Sequence, residues 1–217
     1  MTELCYDGAE PIRFGAKILP SITRLSPADH RRVPWKNGGG VTTELAMEAA
    51  ADGRPDGRFV WRVSIADVVE PGPFSAFSGY DRLIAVVEGD GMRLSVDGAP
   101  PVERRRLDPA FAFPGEAPVW CEPTAGPIRD VNLMLDRASA AGMLTLLSGS
   151  AAQRANVHRA EADVILVHAL AGMLTVTPED GEALTVPAGH SLLLHGAAAL
   201  VEAPDGAEGV CAEVWRR

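Results

Sequence analysis

The sequence has few of the features that mark nucleic-acid-binding, disulfide-rich or membrane-spanning proteins. Its 217 residues carry a formal net charge of −9, so no basic surplus exists to neutralise a phosphate backbone. Three cysteines, Cys5, Cys121 and Cys211, are too few and too scattered for a disulfide framework or a metal knuckle. No apolar run reaches membrane-spanning length, and no charged-then-apolar signal pattern opens the chain. These absences favour a cytoplasmic protein that binds neither nucleic acid nor a membrane.

Lysine is the scarcest cation, since only Lys17 and Lys36 are lysine among 20 basic residues. Lys36 belongs to residues 35–40, which read Trp-Lys-Asn-Gly-Gly-Gly. Consecutive glycines leave the backbone free to adopt positive φ and to pass close to another group. One interpretation is a small anion or polar ligand held by Lys36, Asn37 and backbone N–H groups. The other is a tight turn between two strands, with Lys36 in solvent.

Segments with strand-like alternation fill most of the chain between its 22 glycines and 17 prolines. Residues 59–65 alternate well, with Trp61, Val63 and Ile65 on one face. Many short strands separated by turn signals predict an all-β sandwich or barrel.

The two halves of the chain look alike in outline, and helix signals are weak. An apolar run, a Gly turn and a second apolar run occur at 83–92 and again at 165–174, which predicts a hairpin in each half. One helical turn is predicted at 27–31, where Ser26 is a candidate N-cap. A longer helix is predicted at 138–147, where it would connect the halves.

The second half resembles the second conserved motif of cupins through Gly181, five residues and Pro187–Gly189. That motif places a metal-binding His three residues later, where this chain has Leu192. The first cupin motif, anchored on Gly89, puts Arg82 where a metal-binding Glu should stand. A guanidinium has no lone pair to offer a metal. The chain thus resembles a bicupin that has lost its usual metal ligands, and we expect no metal and no other cofactor.

This resemblance implies an all-β fold of two jelly-roll β-barrels with few short helices. In the second half, His168, His190 and His195 leave a three-histidine metal site open against the plainer interpretation of surface or core histidines. The expected domains are an N-terminal cupin-like barrel with the ligand pocket over 15–137, a helical linker over 138–158, and a degenerate cupin-like barrel over 159–217 that N-terminal residues could complete.

Polar side chains recur on one face of several predicted strands. Arg62 and Ser64 share a face, Asp130 and Asn132 share another, and Arg82 begins a further strand. An arginine in mid-strand that faces a barrel interior costs free energy unless it is paired. If these faces point into one barrel, its mouth is lined by cations, amides and carboxylates.

Two interpretations of the arginines stay open. Buried salt bridges would pair Arg82 with Asp130 and Arg62 with Glu44. Alternatively, Arg62 grips a ligand carboxylate in bidentate fashion while Asp130 fixes Arg82. The aromatic loop at 71–82 would then form an apolar rim around the pocket, or else a small hydrophobic core beneath the loop.

Several motifs in a fixed order resemble one family. They are Pro34–Gly40, Thr42 or Thr43 with Glu44, Trp61–Ala66, Gly72–Ser75, Asp81–Arg82 and Asp130–Met134. In this combination the chain resembles the HutD/Ves family. The resemblance implies a bicupin fold and a place in or near bacterial histidine utilisation, or in the stress-linked Ves branch. It also implies a protein that binds a pathway intermediate, such as N-formylglutamate or urocanate, and restrains pathway flux.

We therefore expect a non-enzymatic protein that modulates histidine utilisation by binding such a small anionic metabolite in a metal-free pocket. Two arginines and a lysine suit N-formylglutamate better than urocanate by charge count. The expected ligand-binding residues are Lys36, Asn37, Thr43, Glu44, Arg62, Ser64, Phe77, Arg82, Asp130 and Asn132. Lys36 and Arg62 would bind carboxylate, whereas Arg82 and Asp130 would organise the wall.

No catalytic residue is assigned, because no histidine and no recognisable nucleophile–base pair lies in this set. A metal-independent isomerase, lyase or hydrolase that acts on a small organic acid is the main alternative. A metal-dependent dioxygenase and a homodimeric scaffold that pairs through a sheet edge are further ones.

Overall fold

Alternation of apolar and polar side chains along most of the chain builds strands rather than helices. A computed structural model describes residues 20–35, 40–50, 58–150 and 157–217, and within these ranges the chain forms 17 β-strands and no helix. The prediction of an all-β fold is confirmed. None of the described segments forms a helix that could cross a membrane.

The strands follow one another with short connections. Those of the first half are β1 Ser21–Leu25, β2 Arg31–Pro34, β3 Gly40–Ala49, β4 Phe59–Val68, β5 Gly72–Pro73, β6 Tyr80–Glu88, β7 Gly91–Val96, β8 Val102–Arg105, β9 Phe111–Pro114, β10 Val119–Pro123 and β11 Ile128–Asp136. Those of the second half are β12 Ala140–Ser148, β13 Val157–Ala171, β14 Met173–Pro178, β15 Leu184–Pro187, β16 Ser191–Glu202 and β17 Glu208–Arg216.

Two sheets built from the first half form what we call the first barrel. One has the strand order β2-β3-β4-β11-β6-β9 and the other the order β5-β10-β7-β8. Their inner faces meet in an apolar cluster that includes Ile84, Met92, Leu94 and Cys121. This cluster joins strands of both sheets and therefore holds the first barrel closed.

A seven-stranded sheet forms what we call the second barrel. Its order is β12-β17-β13-β16-β14-β15, with β1 paired to β16. The interior is an apolar cluster that includes Ile165, Leu174, Leu192 and Val201. Leu192, which stands where the cupin motif has a metal-binding His, is fully buried in this cluster. The N-terminal strand β1 thus belongs to the second barrel, while the predicted domain boundaries stay a prediction.

A third apolar cluster joins the two barrels. It packs Val63 of β4 and Leu133 of β11 with Leu166 of β13 and Ala212 of β17. Because strand side chains alternate between faces, residues next to Val63 and Leu133 point the other way, into the first barrel. The cluster between the barrels therefore decides which side chains reach the interior of the first barrel.

The predicted helix at 138–147, which falls within the predicted helical linker over 138–158, is wrong. Residues 140–148 form strand β12, which pairs with β17 from Ala140 opposite Arg216 to Ser148 opposite Glu208. A Cβ at Gly142 would lie 2.6 Å from the Glu213 carbonyl oxygen, so the two strands approach closely there. The edge of β17 supplies backbone partners that outweigh the helix-like composition.

The predicted helical turn at 27–31 is a turn that does not continue as a helix. The Asp29 N–H donates to the Ser26 carbonyl at 3.0 Å. The Ser26 N–H and hydroxyl both donate to the Asp29 carboxylate, at 2.8 and 2.7 Å. Strand β2 begins at Arg31 because pairing with β3 takes over immediately.

The two predicted hairpins are wrong as well. Gly89 and Gly172 do turn the chain, with φ of 86° and 64°. However, β6 and β7 lie in different sheets, and β16 separates β13 from β14. The first turn carries the chain into the facing sheet, and the second carries it past a neighbouring strand. The local sequence therefore resembles a hairpin although the two strands that each turn connects do not pair with each other.

Candidate ligand-binding site

A cavity of about 500 Å³ opens into the first barrel, bordered by strand β4, strand β11 and the loop before β6. Its polar lining comprises Thr42, Arg62, Ser64, Ser75, Arg82, Asp130 and Asn132, and its other lining residues are Val33, Pro34, Trp35, Ala66, Pro73, Phe74 and Phe77. Half of the lining residues are therefore polar and half apolar, and polar groups that converge within an apolar surround are typical of small-molecule sites. We call this cavity the ligand pocket.

The register of three neighbouring strands places the polar groups in rows. Met134 of β11 lies between Arg62 of β4 and Arg82 of β6. Two residues along, Asn132 lies opposite Ser64, and two further along Asp130 lies opposite Ala66. Asp130 is therefore the polar residue nearest the apolar cluster of the first barrel, which explains why it is so deeply buried.

Arg82 is held by neutral partners and aromatic rings. Only 6% of it is exposed, and its guanidinium donates to the Ser75 carbonyl at 3.3 Å and to Asn132 Oδ1 at 3.4 Å. The guanidinium carbon lies 5.2 Å from the ring centre of Phe74 and 5.0 Å from that of Phe113. Burial lowers the pKa of Arg82 to about 10, so it stays charged at pH 7.

Arg62 has fewer partners than Arg82. Its guanidinium carbon lies 5.2 Å from the Phe59 ring centre and 5.6 Å from that of Phe77, and Nη2 lies 3.4 Å from Met134 Sδ. Burial lowers the pKa of Arg62, and the charge of Glu44 opposes that shift. The Arg62 Nε–H is buried and donates to no group in the described part of the chain. A charged donor is thus left for a ligand.

Asp130 is the most unusual group in the pocket. It is 1% exposed, and neither carboxylate oxygen accepts a hydrogen bond from any described residue. Burial raises its pKa to about 7, while the charge of Arg82 opposes the rise. A buried carboxyl without partners is costly, so Asp130 is a candidate contact for a ligand or an ordered water.

The predicted salt bridges are not formed. Arg82 and Asp130 influence each other's pKa, and the charge of Glu44 raises the pKa of Arg62, but neither pair comes within ion-pair distance in the described structure. The Arg82 guanidinium donates to a backbone carbonyl and to an amide oxygen instead. The interpretation of a closed buried ion-pair network is therefore wrong.

Six of the ten predicted binding residues line the pocket: Arg62, Ser64, Phe77, Arg82, Asp130 and Asn132. Thr43 does not, because alternation along β3 turns it to the opposite face, toward the second barrel. Glu44 lies opposite Ser64 but is not among the lining residues. Lys36 and Asn37 lie outside the described residues.

Trp35 and Thr42 are pocket residues that sequence reasoning did not assign to the binding set. The indole N–H of Trp35 donates to Thr42 Oγ1 at 2.8 Å. The Trp35 N–H donates to the Gly40 carbonyl at 2.9 Å, which brings both ends of the glycine-rich segment to the pocket rim. A Cβ at Gly40 would lie 2.1 Å from the Asp67 carbonyl oxygen, so glycine is required there. The alternation of β4 and its pairing with β3 would have identified Thr42.

A second cavity of about 400 Å³ lies between the barrels and includes His30, Asp67, Arg129 and His168 in its lining. Arg129 Nε donates to Asp67 Oδ1 at 3.0 Å. His168 Nδ1 lies 2.8 Å from the hydroxyl oxygen of Ser191, and burial lowers the pKa of His168 to about 3. The histidine is therefore neutral, and the polar groups of this cavity largely satisfy one another.

One group of described side chains has a composition that suits a metal ion: His158, Cys211 and Glu213 of the second barrel. His158 Nε2 lies 2.7 Å from Glu213 Oε2, and the Glu161 N–H donates to Glu213 Oε1 at 2.9 Å. Burial raises the pKa of the Cys211 thiol. The group differs from the three-histidine alternative, and its carboxylate already has two partners without a metal.

The sequence of this chain is similar to a known protein family and to several curated proteins. The HutD family profile matches residues 27–212. An uncharacterized 21.2 kDa protein in the hutC 3′ region of Pseudomonas putida is 50% identical over 116 residues, which are 54% of this chain and 59% of that protein. Protein Ves of Cronobacter sakazakii is 34% identical over 113 residues, which are 50% of this chain and 59% of that protein. The chain thus spans somewhat over half the length of these curated relatives.

Solved structures match over more of the chain. HutD from Pseudomonas fluorescens SBW25, in a formate condition, is 34% identical with a TM-score of 0.73, covering 91% of this chain and 100% of that chain. A cupin 2 conserved barrel protein from Leptotrichia buccalis is 11% identical with a TM-score of 0.50, covering 86% of this chain and 96% of that chain, and shows the fold alone. The predicted cupin fold is confirmed. With the family profile matched across both barrels, this chain belongs to the HutD family.

Proposed function

We propose that the protein binds a small carboxylate metabolite of histidine utilisation in the ligand pocket and thereby modulates that pathway without catalysing a step. The candidates are N-formylglutamate and urocanate, and the site of action is the cytoplasm. Family membership and a relative encoded in a hutC region support the link to histidine utilisation. No nucleic acid or membrane is involved in this proposal.

The observation that carries the proposal is a buried, charged donor without a partner. Arg62 lines the pocket with an Nε–H that no described residue accepts, beside a second guanidinium that keeps its charge. Aromatic rings hold both guanidiniums in place, which lowers the cost of ordering them when a ligand binds. A guanidinium held in this way matches a carboxylate in geometry and charge.

The charge of the pocket differs from the charge of the whole chain. The protein is acidic, at −9, but the pocket holds two guanidiniums against one carboxyl whose pKa is raised to about 7. A cleft with low-dielectric walls concentrates its own field, so a small anion is attracted locally despite the net charge.

Catalysis without a metal is the second candidate, and one observation favours it. A carboxyl with a pKa near 7 is suited to general acid–base chemistry, and Asp130 lines the pocket. Incubating the protein with N-formylglutamate or urocanate and following product formation by NMR separates the candidates. Turnover that is lost in Asp130→Asn would replace the binding proposal with an enzymatic one.

Isothermal titration tests the binding proposal directly. Wild-type protein is titrated with N-formylglutamate and with urocanate, and we expect at least one of them to bind. Arg62→Gln should weaken that binding by about 100-fold, since a charge-assisted contact at the pocket centre is lost. The matched control is Arg93→Gln, because Arg93 is half exposed on β7 and pairs with Glu122 at 3.7 Å, away from the pocket. No heat with either compound at millimolar concentration would contradict the proposal.

A further inference from the structure

A pocket that only attracts anions gives no reason for the buried carboxyl of Asp130. Asp130 lines the same cavity as the arginines, yet its two buried oxygens accept no hydrogen bond from the described residues. A second carboxylate, brought by a ligand, would be repelled by an ionised Asp130. A ligand with carboxylates as its only polar groups therefore supplies no donor to the oxygens of Asp130 and is repelled by their charge.

Arg82 is not the missing partner of Asp130. Arg82 Nη1 donates to the Ser75 carbonyl and Nε donates to Asn132 Oδ1. The aromatic rings of Phe74 and Phe113 pack against its guanidinium and fix its position. Because the arginine is held from three sides, it cannot rotate toward Asp130 without giving up these contacts.

Among the described residues that line the pocket, the fully buried polar atoms without a hydrogen-bond partner are one donor and one pair of acceptors. The donor is Arg62 Nε–H on β4, and the acceptors are the two oxygens of Asp130 on β11. Both strands belong to the same sheet, where Met134, opposite Arg62, stands four residues from Asp130 along β11. Both residues line the cavity of about 500 Å³, so a single small molecule seated there lies beside both of them.

We infer that the pocket selects carboxylates that also carry an N–H group, and that Asp130 is the residue that accepts a hydrogen bond from this N–H while Arg62 holds the carboxylate. The inference rests on the proposed function and narrows its ligand class to amide- or imidazole-bearing acids. Asp130 then serves as a specificity-determining residue rather than as a support for Arg82. A plain dicarboxylate of the same size offers no donor to an ionised Asp130, so at pH 8, where this carboxyl is ionised, it should bind more weakly than the N–H acid.

Matched probes test this selection on the wild-type protein alone. N-formylglutamate is compared with 2-formyloxyglutarate, in which oxygen replaces the N–H. Urocanate is compared with its oxazole analogue, in which oxygen replaces the ring N–H and the other ring nitrogen is kept. For whichever pair binds, we expect the N–H compound to bind at least tenfold more tightly, or about 1.4 kcal/mol. Equal affinities within a pair would overturn the inference while leaving the proposed function intact. Absence of binding by every probe would instead overturn the proposed function.

Two variants connect the preference to Asp130. In Asp130→Asn the side chain can turn either its oxygen or its amide toward the ligand, so the ratio within a pair should fall to about threefold or less. Arg62→Gln is the matched control, because it should weaken both members of a pair equally and keep their ratio. A ratio unchanged in a folded Asp130→Asn variant would show that another group makes the selection.

Lys36, which lies outside the described residues, supplies a further check. If the Lys36 ammonium formed an ion pair with the Asp130 carboxylate, the wild-type protein would bind both members of a probe pair equally. A preference for the N–H compound would then arise only in Lys36→Met. That outcome would overturn the inference. A preference that is present in wild type and persists in Lys36→Met supports the assignment of the N–H contact to Asp130.

Discussion

The two barrels differ in how their strands form sheets and in what fills their interiors. The interior of the second barrel is occupied by aliphatic side chains, with Leu192 fully buried where a cupin would place a metal-binding histidine. The first barrel is packed at one end and open at the other, where Arg62, Arg82 and Asp130 surround a cavity. One chain thus combines a filled core in the second barrel with a pocket in the first.

This difference teaches where function resides in the fold. A close-packed aliphatic interior contributes stability through burial and offers no group for recognition. Buried charged groups cost stability unless they are paired, so a cluster of them is retained for some other reason. The first barrel keeps such groups on strands whose opposite faces pack against the second barrel, which holds them rigidly.

The largest expected effect is on stability, from a change in the second barrel. Leu192→Ala removes a fully buried side chain from the apolar interior and should lower the free energy of unfolding by about 2–5 kcal/mol. Ligand affinity of the protein that remains folded should not change. Urea unfolding and isothermal titration measure the two quantities. Leu200→Ala, at a position 39% exposed on the same strand, is the control and should cost less than 1 kcal/mol.

The second expected effect is a pH-dependent gain in stability from the first barrel. The pKa of Asp130 is raised to about 7, so the folded protein binds this proton more tightly than the unfolded chain does. The contribution is fully present below the ordinary pKa of an aspartate and is lost as pH rises through 7. Asp130→Asn should therefore be more stable than wild type at pH 8, by about 1–3 kcal/mol, with the gain shrinking toward pH 4.

Thermal unfolding of both proteins between pH 4 and pH 8 checks this prediction. The charged groups that act on Asp130 are Arg82, which lowers its pKa, and Asp67, which raises it. A wild-type and variant difference that is constant across this range would mean that Asp130 keeps an ordinary pKa. The pocket would then solvate a carboxylate about as well as a protein surface does, and the contrast between the two barrels would be weaker.

A third effect sharpens the contrast between charge and geometry in the pocket. Arg62→Lys keeps the positive charge but loses the planar fork and the packing on Phe59 and Phe77. We expect about a tenfold loss of ligand affinity, smaller than the loss in Arg62→Gln. Equal losses in the two variants would show that the guanidinium geometry decides everything, and no loss in Arg62→Lys would show that charge alone suffices.

The smallest expected effect distinguishes the two faces of β3. Thr42→Val removes the acceptor of the Trp35 indole N–H at the pocket rim and should weaken ligand binding by a few-fold. Thr43→Val alters the face toward the second barrel and should leave affinity unchanged. Isothermal titration measures the ligand affinity of both variants. A larger loss in Thr43→Val than in Thr42→Val would mean that the ligand binds on the face of β3 that is turned toward the second barrel.

Much of the first barrel was predictable because strand alternation is a local property. The shared faces of Arg62 with Ser64 and of Asp130 with Asn132 follow from a period of two residues. The same period puts Thr42 and Glu44 on one face of β3 and Thr43 on the other. Which face meets the pocket depends on the register between β3 and β4, and that register is set by contacts distant in sequence. The helix predicted at 138–147 was wrong for a related reason, since only the edge of β17 makes that segment a strand.

The amino-acid order alone was enough to establish an all-β chain, its family and the residues available for a pocket, because side-chain type and spacing are written in it. Whether Arg82 and Asp130 would meet in an ion pair depended on how three strands align and on which aromatic rings press against the guanidinium. Folding placed Arg82 against Ser75 and Asn132 and left Asp130 without a described partner. That arrangement arises from distances of a few ångströms between distant parts of the chain, which no linear pattern encodes.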